Sequence, residues 1–216
     1  AIDRALHTPL MLQTVLGLEA DEIGRVFLVS PAAMAQRLVR AKRKIKDAGI
    51  PFSLPGRSEM AGRLGAVLEA VYGAFSADWI DGASDFSTEA IYLAQLITGL
   101  APDEAEALGL CAPLLFIHAR RNARVANGVL VPLDEQDTDL WDIDMTARAV
   151  ALLRLASAQG MMGRFQLEAA IQAVHAARAR SGRTDWRAVS QLYAGLNSLY
   201  PTIGGAVSQA AAVGRD

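Results

Sequence analysis

The sequence predicts an all-α protein, in which a small N-terminal group of helices precedes a longer series of helical hairpins. Three observations support this fold class. Apolar residues recur at steps of three and four over most of the chain, which is the period of a helix with one buried face. Of the 216 residues 52% are hydrophobic but only 6% are aromatic, which favours close helix packing. Serine, threonine or aspartate repeatedly precedes such a stretch and marks a helix start.

A short helix is predicted just after Gly17-Leu18. Its first turn holds negative charge, which the helix dipole favours there. An earlier helix over Leu6–Leu16 is expected to support it. The acidic residues of the first turn are Glu19, Asp21 and Glu22, and the apolar residues on one side are Ile23, Val26 and Phe27.

A second helix is predicted from Pro31 to about Lys46. Serine is a favourable N-cap and proline a favourable first helical residue, so Ser30-Pro31 marks its start. Ala48-Gly49-Ile50-Pro51 marks its end. The link between the two helices is only Leu28-Val29. One narrow apolar stripe, at steps of four, three and four, consists of Met34, Leu38, Ala41 and Ile45.

The face opposite this stripe is basic. Two short helices, a tight connection and a basic outer face on the second are typical of a helix-turn-helix that enters the major groove of DNA. The alternative is a solvated basic surface helix, which is what most charge runs are. The predicted DNA-binding residues are Ala32, Ala35, Gln36, Arg37, Val39, Arg40, Arg43, Lys44 and Lys46.

Side-chain chemistry predicts individual roles on this face. Arg40 is the candidate for a bidentate contact to guanine and Gln36 for a contact to adenine. Val39 or Ala35 would contact a thymine methyl group, and Ala32 lies on the same outer face. The residues expected to hold phosphates, and so to make binding salt-dependent, are Arg37, Arg43, Lys44 and Lys46.

This segment resembles the DNA-binding region 4 of bacterial sigma factors of the sigma-70 family. The resemblance implies that the second helix recognises the minus-35 element of a promoter and that the small domain docks on the β flap of RNA polymerase. Leu28 stands where the general pattern has a turn glycine, so a different turn or some backbone strain is expected there. The matching residues are Gly17-Leu18, Asp21-Glu22-Ile23, Val29-Ser30-Pro31 and Arg37-Leu38-Val39-Arg40-Ala41-Lys42.

The distribution of charge and the positions of proline and glycine predict two domains. Residues 1–58 hold nine lysines and arginines against five acidic residues, whereas the remainder holds twelve against eighteen. A basic head on an acidic body indicates that only the head binds a polyanion. Residues 1–50 are predicted to form the helix-turn-helix domain, 51–58 a linker and 59–216 a helical C-terminal domain. Ile50, Phe52 and Leu54 indicate that the linker lies against other residues.

The C-terminal domain is predicted to be helical, apart from a small β-hairpin at Asn127-Gly128. The first helix, from Met60 to Phe75, is expected to fade into the polar segment Ser76–Asp85. The acidic turn Leu133–Asp142 is expected to lead into a helix. The remaining helices are predicted over about 87–100, 102–121, 142–159, 165–180, 184–199 and from 201 onward.

An internal echo indicates stacked helical hairpins. Leu93, Ile97, Leu100 and Pro102 recur 99 residues later as Leu192, Leu196, Leu199 and Pro201. Helix, proline and helix at this spacing resemble a tetratricopeptide-type (TPR-like) hairpin, although the full 34-residue signature is absent.

A second resemblance covers this body and points to the same parent family. It resembles the TPR-like C-terminal extension of one group of extracytoplasmic-function (ECF) sigma factors. Region 2, which in that family binds the core enzyme and melts the minus-10 element, is missing, so we expect a fragment that does not initiate transcription alone. The matching strings are EAIYLAQLITGLAPDEAEALGLCAPLL, HARRNARV, LDEQDTDLWD, FQLEAAIQAVHA and TDW.

Catalytic and metal chemistry are not indicated, so neither an enzyme nor a cofactor is expected. His7, His118 and His175 are scattered, and Cys111 is predicted to be a buried structural thiol. The acidic run near Trp141 lacks the glycine and terminal glutamate of an EF-hand. It predicts helix capping and a salt link to Arg120, Arg121 or Arg124, with the ring N–H of Trp141 finding a partner.

The predicted location is the cytoplasm, because a single cysteine fits a reducing compartment. No apolar run approaches the length of a membrane span, and the N-terminal stretch has no signal-peptide pattern.

The predicted function is that of a transcription initiation factor fragment. Its partners would be promoter DNA, the RNA polymerase core and a possible regulatory protein on the helical domain. One alternative is a protein-interaction module without DNA binding, and another is a one-component regulator. In the second alternative a small ligand would fill an apolar pocket among Tyr72, Phe75, Trp79 and Phe86.

Overall fold

The computed structural model is mostly helical, which confirms the all-α fold class. It describes residues 2–51, 53, 56–81 and 86–215, with only the backbone of 57, 58, 61 and 79–81. The chain divides into two compact units, Ala1–Ala94 and Gln95–Asp216. The helices are α1 His7–Thr14, α2 Ala20–Val26, α3 Pro31–Asp47, α4 Arg57–Asp81, α5 Phe86–Leu100, α6 Ala105–His118, α7 Ile143–Ala158, α8 Arg164–Ala176, α9 Arg178–Ser181, α10 Trp186–Leu199 and α11 Ile203–Val213.

No helix in the described ranges is long and apolar enough to cross a membrane.

The core of the N-terminal unit is formed by α1, α2, α3 and α4. Leu12 and Ile23 are fully buried, and α4 contributes Leu68, Val71 and Phe75 to the buried set. The helix α4 packs against α1 and α2, although its residues follow the predicted linker 51–58. Packing therefore groups α4 with the N-terminal helices. The predicted division into a helix-turn-helix domain, a linker and a C-terminal domain stays a prediction.

Two predictions for this stretch fall partly outside the described residues. Ile50 is 39% exposed, but Phe52 and Leu54, which were expected to lie against other residues, are not among those described. The side chain of Trp79 is not described either, so the apolar pocket predicted around it stays a prediction.

The helix α4 extends further than the sequence predicts. It continues to Asp81 instead of fading after Phe75. The polar residue Asp78 is buried, and its carboxylate accepts a hydrogen bond from the backbone N–H of Ser87 at 3.2 Å. A buried polar residue needs a hydrogen-bond partner, and Asp78 finds it at the start of the next helix. Because Asp78 is not apolar, it does not contribute to the helical repeat of apolar residues, and the sequence pattern therefore ended the helix too early.

The core of the C-terminal unit is built around α6, which is buried on nearly every side and packs against α7 and α8. Helices that are apolar all round belong in a core. The carboxylate of Glu106 on α6 accepts the backbone N–H groups of Phe165 at 3.0 Å and Gln166 at 3.3 Å, and so satisfies free donors at the start of α8. A Cβ at Gly163 would overlap the carboxyl group of Glu106, so a side chain there would displace Glu106 from these hydrogen bonds.

The remaining elements confirm local predictions. β1 (Val125–Ala126) pairs with β2 (Val129–Leu130) in an antiparallel hairpin, and Asn127 and Gly128 both have positive φ, as a type I′ turn requires. Asp142 caps α7 and Asp185 caps α10 through side-chain hydrogen bonds to backbone N–H groups at 2.8 and 3.0 Å.

In the acidic run, Asp134 forms an ion pair with Arg215. The predicted salt link of this run to Arg120, Arg121 or Arg124 stays a prediction.

The interior of the C-terminal unit contains a cationic cluster around Trp141. The guanidinium of Arg178 lies 5.1 Å and that of Arg120 6.0 Å from the centre of the indole ring. Arg120 donates to Gln172 at 2.9 Å, and burial lowers its pKa to about 10. Trp141 is buried as predicted, but its ring N–H has no hydrogen-bond partner among the described residues, so that part of the prediction is wrong. The Trp141 indole is held by the two guanidinium groups instead of by a hydrogen bond, because the faces of an aromatic ring attract cations.

Two other sequence-derived assignments concern single buried groups. Cys111 is fully buried, as predicted, and burial raises the pKa of its thiol to about 11. His118 is buried next to Arg121. His175 is buried edge-on to Trp186, with 5.5 Å between the ring centres.

We predict that the stability of the C-terminal unit depends on pH through His175. Burial lowers the pKa of His175 from 6.5 to about 4, and the positive charges of Arg120 and Arg178 lower it in the same direction. The negative charge of Asp134 opposes this shift in part. The unfolded chain therefore binds more protons between these values, so stability is full above about pH 6.5 and is lost as the pH falls towards 4. Between about pH 7.5 and pH 5 the expected loss is on the order of 2 kcal/mol. Urea unfolding followed by circular dichroism measures it.

The His175→Gln variant should lose this pH response, whereas His7→Gln in the other unit serves as the control. The assignment fails if His175→Gln and the wild-type chain respond equally to pH.

Candidate nucleic-acid interface

The predicted start and end of α3 are confirmed. The Ser30 hydroxyl accepts the backbone N–H of Ala33 at 3.4 Å, and Pro31 is the first helical residue. At the other end Gly49 adopts a left-handed conformation with φ of 58°, and the N–H of Ile50 returns to the carbonyl of Ile45 at 3.2 Å. This arrangement satisfies the last carbonyls of the helix.

The buried stripe of α3 is also confirmed. Met34, Leu38 and Ala41 are at most 3% exposed, and Ile45 is half-buried. The helix α2 lies against this stripe. Because one face of α3 is fixed in the core, the opposite face must be presented outward.

The predicted DNA-binding residues lie on the outer face and its flanks. Gln36, Arg40 and Arg43 follow one another at steps of four and three and form a single exposed row. Val39 is 60% exposed beside this row. Eight of the nine predicted residues are exposed, and Ala35 is half-buried. The exposed residues are Ala32, Gln36, Arg37, Val39, Arg40, Arg43, Lys44 and Lys46.

The cations of this face are not neutralised by the protein itself. Within the described part of the chain, none of Arg37, Arg40, Arg43, Lys44 and Lys46 forms an ion pair or a side-chain hydrogen bond. By contrast, Arg25 on α2 pairs with Asp21. The outer face of α3 therefore holds a concentrated positive charge that remains available to a polyanion.

The connection between α2 and α3 is a closely packed turn. The N–H of Val29 donates to the carbonyl of Gly24 at 2.8 Å, and the N–H of Leu28 donates to that of Arg25 at 3.3 Å, which is the Schellman pattern. Leu28 occupies its left-handed position with φ of 54° and is 88% exposed. The strain expected from a non-glycine residue at this position is therefore present.

One residue that shapes this turn, Gly24, was not identified from the sequence. A Cβ at Gly24 would lie 2.6 Å from the carbonyl oxygen of Val29, so the turn needs glycine there. The isolated glycine inside a helical pattern was the available signal. Glu22 also closes a capping box on α2, with its carboxylate 2.6 Å from the N–H of Glu19. The spacing of Glu19 and Glu22 was the signal for it.

The described residues contain no group of three or more His, Cys, Asp and Glu placed to hold a metal ion.

The chain is similar to a family of unknown function and to an uncharacterized protein. Residues 63–157, from α4 to α7, match a family of unknown function, DUF6596. The chain is 40% identical over 222 aligned positions to an uncharacterized protein, R00370, of Rhizobium meliloti (strain 1021). That alignment covers all of this chain and 52% of the relative, so the chain spans about half of its length. No solved structure matches.

We predict opposite effects for two substitutions in the turn. Gly24→Ala should lower stability by about 2 kcal/mol, because the new methyl group meets a backbone oxygen that cannot move alone. Leu28→Gly should raise it by about 0.5 kcal/mol, because the relief of left-handed strain exceeds the added freedom of the unfolded chain. Thermal unfolding measures both.

Val39→Gly is the matched control for the second substitution. Val39 is an exposed apolar residue with ordinary helical geometry, so glycine should lower stability there by about 0.3 kcal/mol, the difference between the helix propensities of valine and glycine. If Leu28→Gly is equally destabilising, Leu28 does not adopt the left-handed conformation in solution.

Proposed function

We propose that this chain is part of a bacterial transcription initiation factor related to the ECF sigma factors. In this proposal α2 and α3 form a helix-turn-helix that recognises the minus-35 promoter element, and the N-terminal unit contacts RNA polymerase. The helical C-terminal unit acts as a TPR-like scaffold or regulatory domain. The proposal combines the resemblance of residues 17–42 and of the C-terminal strings with the surface of α3.

The observation that carries the proposal is the unpaired cationic face of α3. Its row of Gln36, Arg40 and Arg43 is straight, exposed and free of carboxylates, and the buried stripe behind it fixes its direction. An α-helix of this kind fits the major groove, where a guanidinium can bond guanine and an amide can bond adenine. Among these residues Arg40 is proposed to bind guanine and Gln36 adenine.

The flanks of the same helix support a second role. Arg37 and Lys44 lie to one side of the row and Lys46 to the other, so they would face the two phosphate backbones when the row enters the groove. Arg43 at the end of the row would contact a phosphate as well. Such contacts supply affinity that does not depend on sequence and that salt weakens.

The proposed TPR-like character of the C-terminal unit rests on helix pairs. The helices α6 and α7 pack together, as do α10 and α11, and the short segment at Pro201 joins the second pair. Leu196, one member of the internal echo, is buried in the cluster of Leu167, Ile171 and Val189. Pairs of this kind stack into scaffolds that bind proteins. A regulatory protein or the polymerase itself would be the partner.

Region 2 is not part of the resemblance, so the decisive measurement is DNA binding rather than initiation. We predict that Arg40→Ala lowers the preference for the selected DNA sequence by roughly 10- to 100-fold, the value of one bidentate base contact. The probe is a duplex enriched from a randomised library by the wild-type chain, compared with a scrambled duplex in gel shifts. Helical content should not change, because Arg40 is exposed.

Lys42→Ala is the control for this variant. Lys42 is an exposed cation on the same helix, but it lies about 160° around the axis from Arg40, so its loss should leave the preference unchanged. Full sequence preference in Arg40→Ala would remove the base-contact role. No binding to any duplex at low salt would favour the protein-interaction alternative.

We also predict a change in salt dependence. Arg43→Gln and Lys44→Gln should each reduce the slope of log affinity against log salt concentration by about 0.9 for the contact removed. Sequence preference should stay the same, because these residues contact phosphates. Arg25→Gln on α2, whose arginine pairs with Asp21, is the control and should leave the slope unchanged. Equal slopes in all four proteins would contradict the phosphate assignment.

A further inference from the structure

A cleft of about 600 Å³ opens on the C-terminal unit, and none of its lining residues belongs to the predicted DNA-binding set. It lies between the end of α8, the short α9, the segment leading into α10 and Arg215, which follows α11. Its size falls within the range of small-molecule sites, about 300 to 1,000 Å³. A single inorganic ion would leave most of this space empty.

The rim of the cleft is strongly basic. The lining of the cleft holds three arginines, Arg183, Arg187 and Arg215, against one aspartate, Asp185. Residues 59–216 as a whole carry more acidic than basic residues. Arg183 and Arg187 line the cleft and are exposed, and neither forms an ion pair within the described part of the chain. The carboxylate of Asp185 is already engaged as the cap of α10. Two guanidinium groups are therefore available to an anion.

The wall of the cleft is apolar and aromatic. Val174 and Ala177 contribute aliphatic surface, and Trp186 is half-buried with its ring held edge-on by His175. The guanidinium of Arg215 lies 4.9 Å from the centre of the Trp186 ring. A ligand that fills this cleft would need both an organic body for the wall and negative charge for the rim.

We propose that this cleft binds a phosphorylated organic ligand of about nucleotide size. Guanidinium groups bind phosphate oxygens in pairs and stay charged at any physiological pH, which makes arginine the suited residue for this task. The phosphates would lie against Arg183 and Arg187, and the organic body against the wall at Trp186. This site goes beyond the proposed promoter function and does not depend on it.

Asp134 is proposed to compete with the ligand for Arg215. The two side chains form an ion pair, and they are 33% and 47% exposed respectively. Ion pairs with this exposure contribute little, about 0–1 kcal/mol, so a phosphate can displace the carboxylate. Loss of the Asp134 charge should therefore strengthen ligand binding.

Isothermal titration of the whole chain with ADP and with pyrophosphate tests the site. ADP should bind at a single site, and more tightly than pyrophosphate because of its organic body. The double variant Arg183→Gln/Arg187→Gln should weaken ADP binding at least tenfold. Arg154→Gln removes an exposed arginine of α7 outside the cleft and should have no effect.

A second pair of variants tests the competition. Asp134→Asn should tighten ADP binding about two- to fivefold, whereas Glu135→Gln, which removes the neighbouring charge, should not. No saturable binding of either probe, or equal losses in the double variant and in Arg154→Gln, would overturn the proposal. Binding to phosphatidic acid vesicles without binding of ADP or pyrophosphate would also overturn it, in favour of a lipid headgroup.

Discussion

The orientation of α3 depends on one close approach, between Gly24 on α2 and the carbonyl oxygen of Val29 in the turn. A side chain at Gly24 would force the turn open, and the two Schellman hydrogen bonds would be lost with it. With the turn closed, Met34, Leu38 and Ala41 are carried into the core, and the row from Gln36 to Arg43 is directed outward. The strained conformation of Leu28 persists because the packing on both sides of it determines the path of the chain.

The C-terminal unit contains charged side chains inside its helical core, and each of them has a partner there. Glu106 is held in place by backbone N–H groups at the start of α8, and Arg120 and Arg178 lie against the ring of Trp141. These groups stabilise the fold and leave little capacity for binding. Binding capacity remains at the surface, where several cations of the described part of the chain form no ion pair. The outer face of α3 and the rim of the cleft at Arg183 and Arg187 share this property.

The local features of the chain could be predicted because their signals lie within a few residues. Ser30-Pro31 starts α3, Asn127-Gly128 turns the hairpin, and Asp185 caps α10, each through contacts with its immediate neighbours. The extension of α4 could not be predicted, because Asp78 is stabilised by the N–H of Ser87 at the start of the next helix. The stacking of Trp141 was missed for the same reason, since Arg178 comes from a distant helix.

By itself, the sequence determined the helices, their apolar stripes and the exposed row on α3, because the residues of each recur at steps of three and four along the chain. Only the tertiary structure decided which charges are already satisfied and which remain free. Asp134 meets Arg215 across 81 residues, and Glu106 meets Phe165 across 59. Pairings over such distances depend on how helices pack, whereas a helical period describes one helix at a time.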